Sequence, residues 1–307
     1  MDGLLAGDKR AAAKLISLIE DDEPEAGEAL ALVYPHTGHA QYVGFTGAPG
    51  VGKSSLINRL VREFRSRGKK VGVVAVDPTS PYSGGAVLGD RIRMADTGID
   101  PGVFIRSMAT RGHSGGLALA TFDAVRVLDA MGMDLVLVET VGAGQSEVEI
   151  AGRAHTTVVV EMPLTGDVVQ TMKAGILEIG DVYVVNKVDL ADADTLVANL
   201  RFQIEERDGW TPPIVRTSAL EDQRIDELAD AVERHRAFLE STGLWAKRET
   251  ARARQEILEN ARRLLADRVR DGPQGPRFES LVQEVVRRDL DPQTAAARLL
   301  GSRGRGT

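Results

Sequence analysis

Residues 44–60 read GFTGAPGVGKSSLINRL, and they constrain the fold more tightly than any other stretch of the chain. An alternating apolar segment at 42–46 leads into a glycine-rich turn, and helical periodicity follows at Leu56, Leu60 and Phe64. The pattern G-x-x-x-x-G-K-S covers Gly47, Ala48, Pro49, Gly50, Val51, Gly52, Lys53 and Ser54, with Ser55 behind it. Glycines at this spacing let successive backbone N–H groups turn inward around phosphate oxygens, and the following helix adds its positive N-terminal end. Lys53 brings a point charge to the β and γ phosphates, and Ser54 a hydroxyl for Mg²⁺. The bland alternative, a glycine-rich turn holding a lysine by chance, explains neither the spacing nor the strand and helix on either side.

Short runs rich in Val, Ile and Leu recur at 42–46, 71–76, 103–105, 135–138, 157–160, 182–185 and 214–215. They are too apolar for strands with one wet face. Separated by helical stretches, they predict an α/β fold, a mostly parallel central sheet with helices on both sides. Residues 40–242 form this expected domain. Residues 1–39 read as a helical segment broken at Asp21, Asp22, Glu23 and Pro24. Residues 243–307 read as a helical extension: a charged helix over 244–269, another over 278–288, and a last one capped by Asp291 with Pro292 in its first turn.

Composition narrows the setting. The 307 residues contain no cysteine, which removes disulfides, thiolate metal sites and a cysteine nucleophile. A formal net charge of −7 argues against broad nucleic-acid binding. No apolar run approaches the roughly 20 residues needed to cross a bilayer, and no secretory leader is legible, so a cytoplasmic protein is expected.

Asn186, Lys187, Val188 and Asp189 follow the run at 182–185, at the carboxyl end of the sheet where ligands collect. The Asp189 carboxylate can accept the N1–H and exocyclic N2–H₂ of guanine, a donor pair that adenine lacks. Asn186 either serves the guanine carbonyl or braces the loop. Ser218, Ala219 and Leu220 follow the last apolar run and offer backbone N–H groups to the guanine O6. Glu139 ends the run at 135–138 and can hold Mg²⁺ directly or through water, while the Gly142 N–H can reach a γ-phosphate. Gln145 in the same loop either positions the attacking water or is structural. Asp77 and Asp90, alone turn or cap residues, make an oxygen-only Mg²⁺ environment together with Ser54 and Glu139.

The segment 76–94, VDPTSPYSGGAVLGDRIRM, is too long and specific for a generic loop. With RSMATRGH at 106–113, ETVGAGQSE at 139–147 and KAGILE at 173–178, it resembles the MeaB/ArgK family over nearly the whole chain. These are GTPase chaperones of methylmalonyl-CoA mutase, formerly described as transport ATPases. The resemblance implies a SIMIBI-type P-loop GTPase, a homodimer formed through the C-terminal extension, and a partner that is an adenosylcobalamin-dependent acyl-CoA mutase. It implies that GTP and Mg²⁺ gate cofactor loading and protect the mutase. It also implies that Lys53 and Ser54 bind phosphate and metal, and that Asp77, Asp90 and Glu139 are the acidic metal-site residues. A third switch loop falls at 163–173, where Asp167, Gln170 and Lys173 are expected to move; Lys173 then either stabilises charge at the nucleotide or caps a carboxylate on its own helix. Asp222 and Arg224 stand where the family usually has glycine, which is expected to reshape the rim of the base site without removing it.

Two other assignments remain compatible with a nucleotide cradle. A nickel-insertion GTPase of the same superclass would need Cys and His ligands; His36, His39, His113, His155 and His235 form no i, i+4 pair and are expected mostly at surfaces or in loops. An ATPase of amino-acid transport or a kinase is disfavoured by Asp189. Trp210 and Trp245 are expected to pack rather than stack on a cofactor.

Overall fold

Strands apolar on both faces need cover on both, and the two faces of the sheet are filled by different helices. The computed structural model describes residues 1–77, 100–109, 116–140, 153–163, 178–190, 193–270 and 274–301. Within these, β1 (Gln41–Thr46), β2 (Val71–Asp77), β3 (Val103–Ala109), β4 (Leu135–Thr140), β5 (Thr156–Glu161), β6 (Val182–Val185) and β7 (Ile214–Arg216) form a single seven-stranded sheet in the order β3-β2-β4-β1-β5-β6-β7. Every pairing is parallel. The helices are α1 (Asp2–Leu5), α2 (Lys9–Glu20), α3 (Pro24–Val33), α4 (Lys53–Ser66), α5 (Gly116–Ala130), α6 (Asp194–Gln203), α7 (Ile225–Thr242), α8 (Leu244–Arg270), α9 (Gly275–Val286) and α10 (Pro292–Leu299).

Side chains alternate along each strand, so neighbouring residues enter opposite cores. Tyr42, Val74, Val136 and Val138 pack with Leu15 and Ile16 of α2 and with Phe122, Val125 and Leu128 of α5. Val43, Phe45, Val73, Leu135 and Leu137 pack on the other side with Leu56, Leu60 and Phe64 of α4 and with Leu228 and Val232 of α7. Full burial of such a side chain contributes about 1.5–3 kcal/mol, which explains why the helical stripe at 56, 60 and 64 was visible in sequence. Pro24 opens α3 at its first turn, so the pattern that sequence shows broken at 21–24 is two helices, α2 and α3, with the short α1 ahead of them.

The chain leaves β1 for β2 on one side and later builds β5, β6 and β7 on the other. This reversal opens a crevice beyond the carboxyl end of β1, where loops from both halves converge. The opposite end of the sheet is tied down by polar side chains. Asp129 of α5 accepts from the backbone N–H groups of Gly38 (2.7 Å), His39 (3.2 Å) and Ala40 (3.0 Å) and from the Tyr42 hydroxyl (2.7 Å), fixing the entry into β1.

A second polar node sits under β5 and β6. Buried Asp181 accepts from the Thr157 N–H at 2.9 Å and from both terminal nitrogens of Arg248 at 2.9 and 2.8 Å. His235 is fully buried beside it, its Nδ1 2.8 Å from the Thr156 hydroxyl oxygen. Burial pulls its pKa down to about 4, against the opposing pull of Asp181. His155 is also buried, accepts from the Tyr42 N–H at 2.9 Å and stacks on Trp245 at a ring distance of 3.8 Å. His235, on a helix and fully buried, departs from the expectation that most histidines lie at surfaces or in loops; His155 does lie in a loop, the bend before β5, but is buried there, and each is recruited by a long-range partner that sequence spacing does not reveal. Trp210 packs against His235 and Phe238, and Trp245 against His155, as packing residues.

The chain divides into two compact units, Met1–Arg248 and Glu249–Thr307. In the second, α9 and α10 close a small core of Leu281, Ala295 and Leu299, with Phe278 and Val285 against it. Asp291 caps α10 by accepting from the Thr294 N–H at 3.0 Å, the cap read from sequence.

Candidate nucleotide site

The glycine-rich turn leaves β1 and enters α4 through Gly52, whose φ of 96° lies in the left-handed region. No side chain caps α4, so its first N–H groups remain available to an anion. Gly47 has φ 143°, and a Cβ there would lie 2.0 Å from the Val160 carbonyl oxygen of β5. A Cβ on Gly52 would meet Asn186 Nδ2 at 2.5 Å. Both positions are closed to any larger residue, one by backbone and one by a buried amide.

Lys53 is 6% exposed and donates from Nζ to the carbonyls of Gly47 (2.7 Å) and Ala48 (3.1 Å), folding back over the cradle. Ser54 donates to Glu139 Oε1 at 2.6 Å, bringing the P-loop hydroxyl and the carboxylate at the end of β4 together. Two hard oxygen donors in contact at the mouth of the cradle form a donor set suited to Mg²⁺. Asp77 closes β2, two strands from β1 in the sheet. Among the described residues, no group of three or more His, Asp or Glu side chains could hold a metal.

Asn186 follows β6 and is 1% exposed. Its Nδ2 donates to the Val51 carbonyl at 2.8 Å, and its Oδ1 accepts from the Thr217 hydroxyl at 3.0 Å and the Ala219 N–H at 3.1 Å. Of the two roles open from sequence, this geometry is the brace: one side-chain amide links the phosphate turn to the loop after β7. Lys187, with φ 62°, adds a second link through Nζ to the Gly50 carbonyl at 2.6 Å. A cavity of about 480 Å³ opens between these loops, lined by Gly52, Ser55, Lys187, Asp189 and Leu220 among others. Asp189 is exposed at its edge. Ser218 and Ala219 are buried and Leu220 borders the cavity.

A larger cavity, about 650 Å³, lies at the far end of the strands around His39, Asp129 and Arg236. Its buried carboxylate, Asp129, is already engaged by four donors, and none of the phosphate or base motifs reaches it. The P-loop residues Gly52 and Ser54 and the run Asn186 to Asp189 meet at the smaller cavity.

Sequence reading missed Glu161, at the carboxyl end of β5. Burial pushes its carboxyl up to about 7, with the Lys53 ammonium acting in the opposite direction. It belongs to no motif; only the sheet order, which sets β5 beside β1, signals it. Asp90, Gly142, Gln145, Asp167, Gln170, Lys173 and His113 lie outside the described residues. Asp222 (φ 59°) and Arg224 (φ 54°) both adopt the left-handed backbone that glycine takes without strain.

A parallel sheet with a glycine cradle at its switch point, and a cavity beside it that Asp189 edges, define a P-loop nucleoside triphosphatase. Residues 12–274 match the family described as methylmalonyl Co-A mutase-associated GTPase MeaB, and the chain belongs to that family. It is 48% identical over 300 residues to a putative GTPase of Pyrococcus abyssi, covering 96% of this chain and 93% of that protein. It is 34% identical over 252 residues to the GTPase ArgK of Escherichia coli, covering 78% and 76% respectively. A crystal structure described as an LAO/AO transport system kinase superposes with a TM-score of 0.72 at 26% identity, covering 98% of this chain and 95% of the other. The protein is a GTP-hydrolysing enzyme that binds guanine nucleotide. No helix among the described residues is long and apolar enough to cross a membrane.

Proposed function

We propose that this GTPase is a chaperone of an adenosylcobalamin-dependent acyl-CoA mutase, most plainly methylmalonyl-CoA mutase, and that GTP turnover gates cofactor loading and protects the mutase. The observation that carries this reading is the match of residues 12–274 to a family described by its association with that mutase. In this reading Lys53 and the uncapped start of α4 hold the β and γ phosphates, and Asp189 accepts from the guanine edge. Ser54 and Glu139 are the described donors for Mg²⁺, with Asp77 and Asp90 completing the set. The metal, when bound, supplies charge neutralisation at the phosphates. Gly142 contacts the γ-phosphate, Gln145 orients the attacking water, and Lys173 approaches the nucleotide when the partner binds. Positioning and charge supply most of the catalysis in such a site, so slow intrinsic turnover and acceleration by the mutase go together. A homodimer formed through residues 243–307 and a cytoplasmic setting complete the proposal.

The test is co-purification of the protein with adenosylcobalamin-dependent methylmalonyl-CoA mutase in the presence of GDP, a non-hydrolysable GTP analogue or no nucleotide. A complex whose amount changes with the nucleotide is expected. No complex in any of the three states refutes the chaperone reading.

A further inference from the structure

The loop after β7 is held from outside by one residue that no motif contains. Arg59, on the second turn of α4, donates from Nε to the Ala219 carbonyl at 3.0 Å and from one terminal nitrogen to the Leu220 carbonyl at 3.3 Å. Its other terminal nitrogen lies 3.5 Å from Asp222 Oδ2. One guanidinium thus grips three residues of the same loop, a geometry that its planar fork allows and an ammonium cannot reproduce. The loop needs such a grip. It is closed on itself by the Ser218–Gln223 bridge, and it carries non-glycine residues with positive φ at Asp222 and Arg224. Backbone held in that region persists only where surrounding contacts over-determine it.

The grip also selects what the loop can offer. The Ala219 N–H is engaged by Asn186 Oδ1 from the inner side, while the Ala219 and Leu220 carbonyls are turned to Arg59. Leu220 borders the base cavity, as does Arg59. With both carbonyls drawn toward α4 and the N–H groups of Ala219 and Glu221 engaged within the protein, the Leu220 N–H is the backbone donor this loop keeps at the cavity, and a purine carbonyl is its complementary group. The exposed ion pair with Asp222 adds little by itself, since that carboxylate is 59% exposed; the two carbonyl bonds fix the loop.

We propose that Arg59 is a positioning residue for base recognition: it orients the 219–222 loop so that the pocket reads the purine 6-carbonyl, independently of the 2-amino group read by Asp189. This rests on the guanine-site assignment above. The experiment measures calorimetric affinity of the full-length protein for GDP and for 6-thioguanosine diphosphate, which keeps the N1–H and the 2-amino group and replaces the 6-carbonyl oxygen by the weaker acceptor sulfur. Arg59→Ala is expected to weaken GDP by about tenfold and to leave the analogue within about twofold. Arg59→Lys keeps the charge without the fork and is expected to remain impaired for GDP. Equal weakening of both ligands by Arg59→Ala, no weakening of either, or full recovery in Arg59→Lys overturns the proposal. Asp189→Ala separates the two layers. If it abolishes GDP binding while Arg59→Ala does nothing, only the present inference fails; if it leaves GDP binding intact, the guanine site itself is misassigned.

Discussion

Replacing Asn186 with alanine tests whether the phosphate turn and the base loop are one unit. The substitution removes three hydrogen bonds, at 2.8, 3.0 and 3.1 Å, from a side chain that is 1% exposed. The Thr217 hydroxyl can rotate toward another acceptor, but the Val51 carbonyl and the Ala219 N–H cannot follow. Val51 is 2% and Ala219 6% exposed, so water does not readily replace the lost partner. Leaving buried backbone groups unpaired costs about 1–3 kcal/mol each, so Asn186→Ala is expected to lower unfolding free energy by roughly 2–5 kcal/mol. Asn186→Asp discriminates further, because it keeps the two acceptor contacts and loses only the donor to Val51, placing a carboxylate against a carbonyl. Urea denaturation gives the stability and calorimetry with GDP gives the binding; both variants are expected to bind GDP more than about tenfold more weakly. If Asn186→Ala unfolds at the wild-type midpoint and binds GDP with unchanged affinity, the brace carries no energy and the reasoning is refuted.

Other outcomes follow from the same geometry. Gly47→Ala places a Cβ 2.0 Å from a backbone oxygen that cannot move without displacing β5, so loss of GDP binding with a lowered Tm is expected, and a wild-type Tm would contradict the packing. His235, with its folded pKa depressed to about 4, stays neutral while the unfolded chain takes up a proton below its usual 6.5. Its contribution is therefore complete above pH 6.5 and is lost as pH falls toward 4, by at most about 3 kcal/mol. Glu161, raised to about 7, acts oppositely: the folded chain keeps a proton that the unfolded one sheds above 4.5, so stability falls as pH rises from 4.5 to 7. Denaturation midpoints across pH 4–7.5 are expected to show a flatter acid limb in His235→Gln and a gain at neutral pH in Glu161→Gln; parallel curves for all three proteins would reject both assignments.

The strands were legible because each is a continuous apolar run, and burial on both faces leaves no other composition open to it. The cradle was legible because its glycines answer to backbone geometry, as Gly47 and Gly52 demonstrate. Asp291 was legible because capping is local. Arg59 was not, since its partners lie 160 and 161 residues away and a charged residue at that position of a helix reads as an ordinary wet face. Asp181 and His235 escaped for the same reason: each is defined by groups on other elements, which periodicity does not encode. The left-handed backbone of Asp222 and Arg224 shows the converse, a local conformation kept without the residue that usually marks it.

The contact between Gly47 and Val160 has a mechanical side. The inner wall of the phosphate turn is not a side chain that can swing aside but the carbonyl of a central strand. Close-packed backbone against backbone has almost no slack. Any displacement of the turn by an arriving or departing phosphate is therefore delivered directly to β5, one residue before Glu161 and the end of that strand. The phosphate turn and the last two residues of β5 therefore share one unyielding seat, which couples the shape of the cradle to the position at which that strand ends.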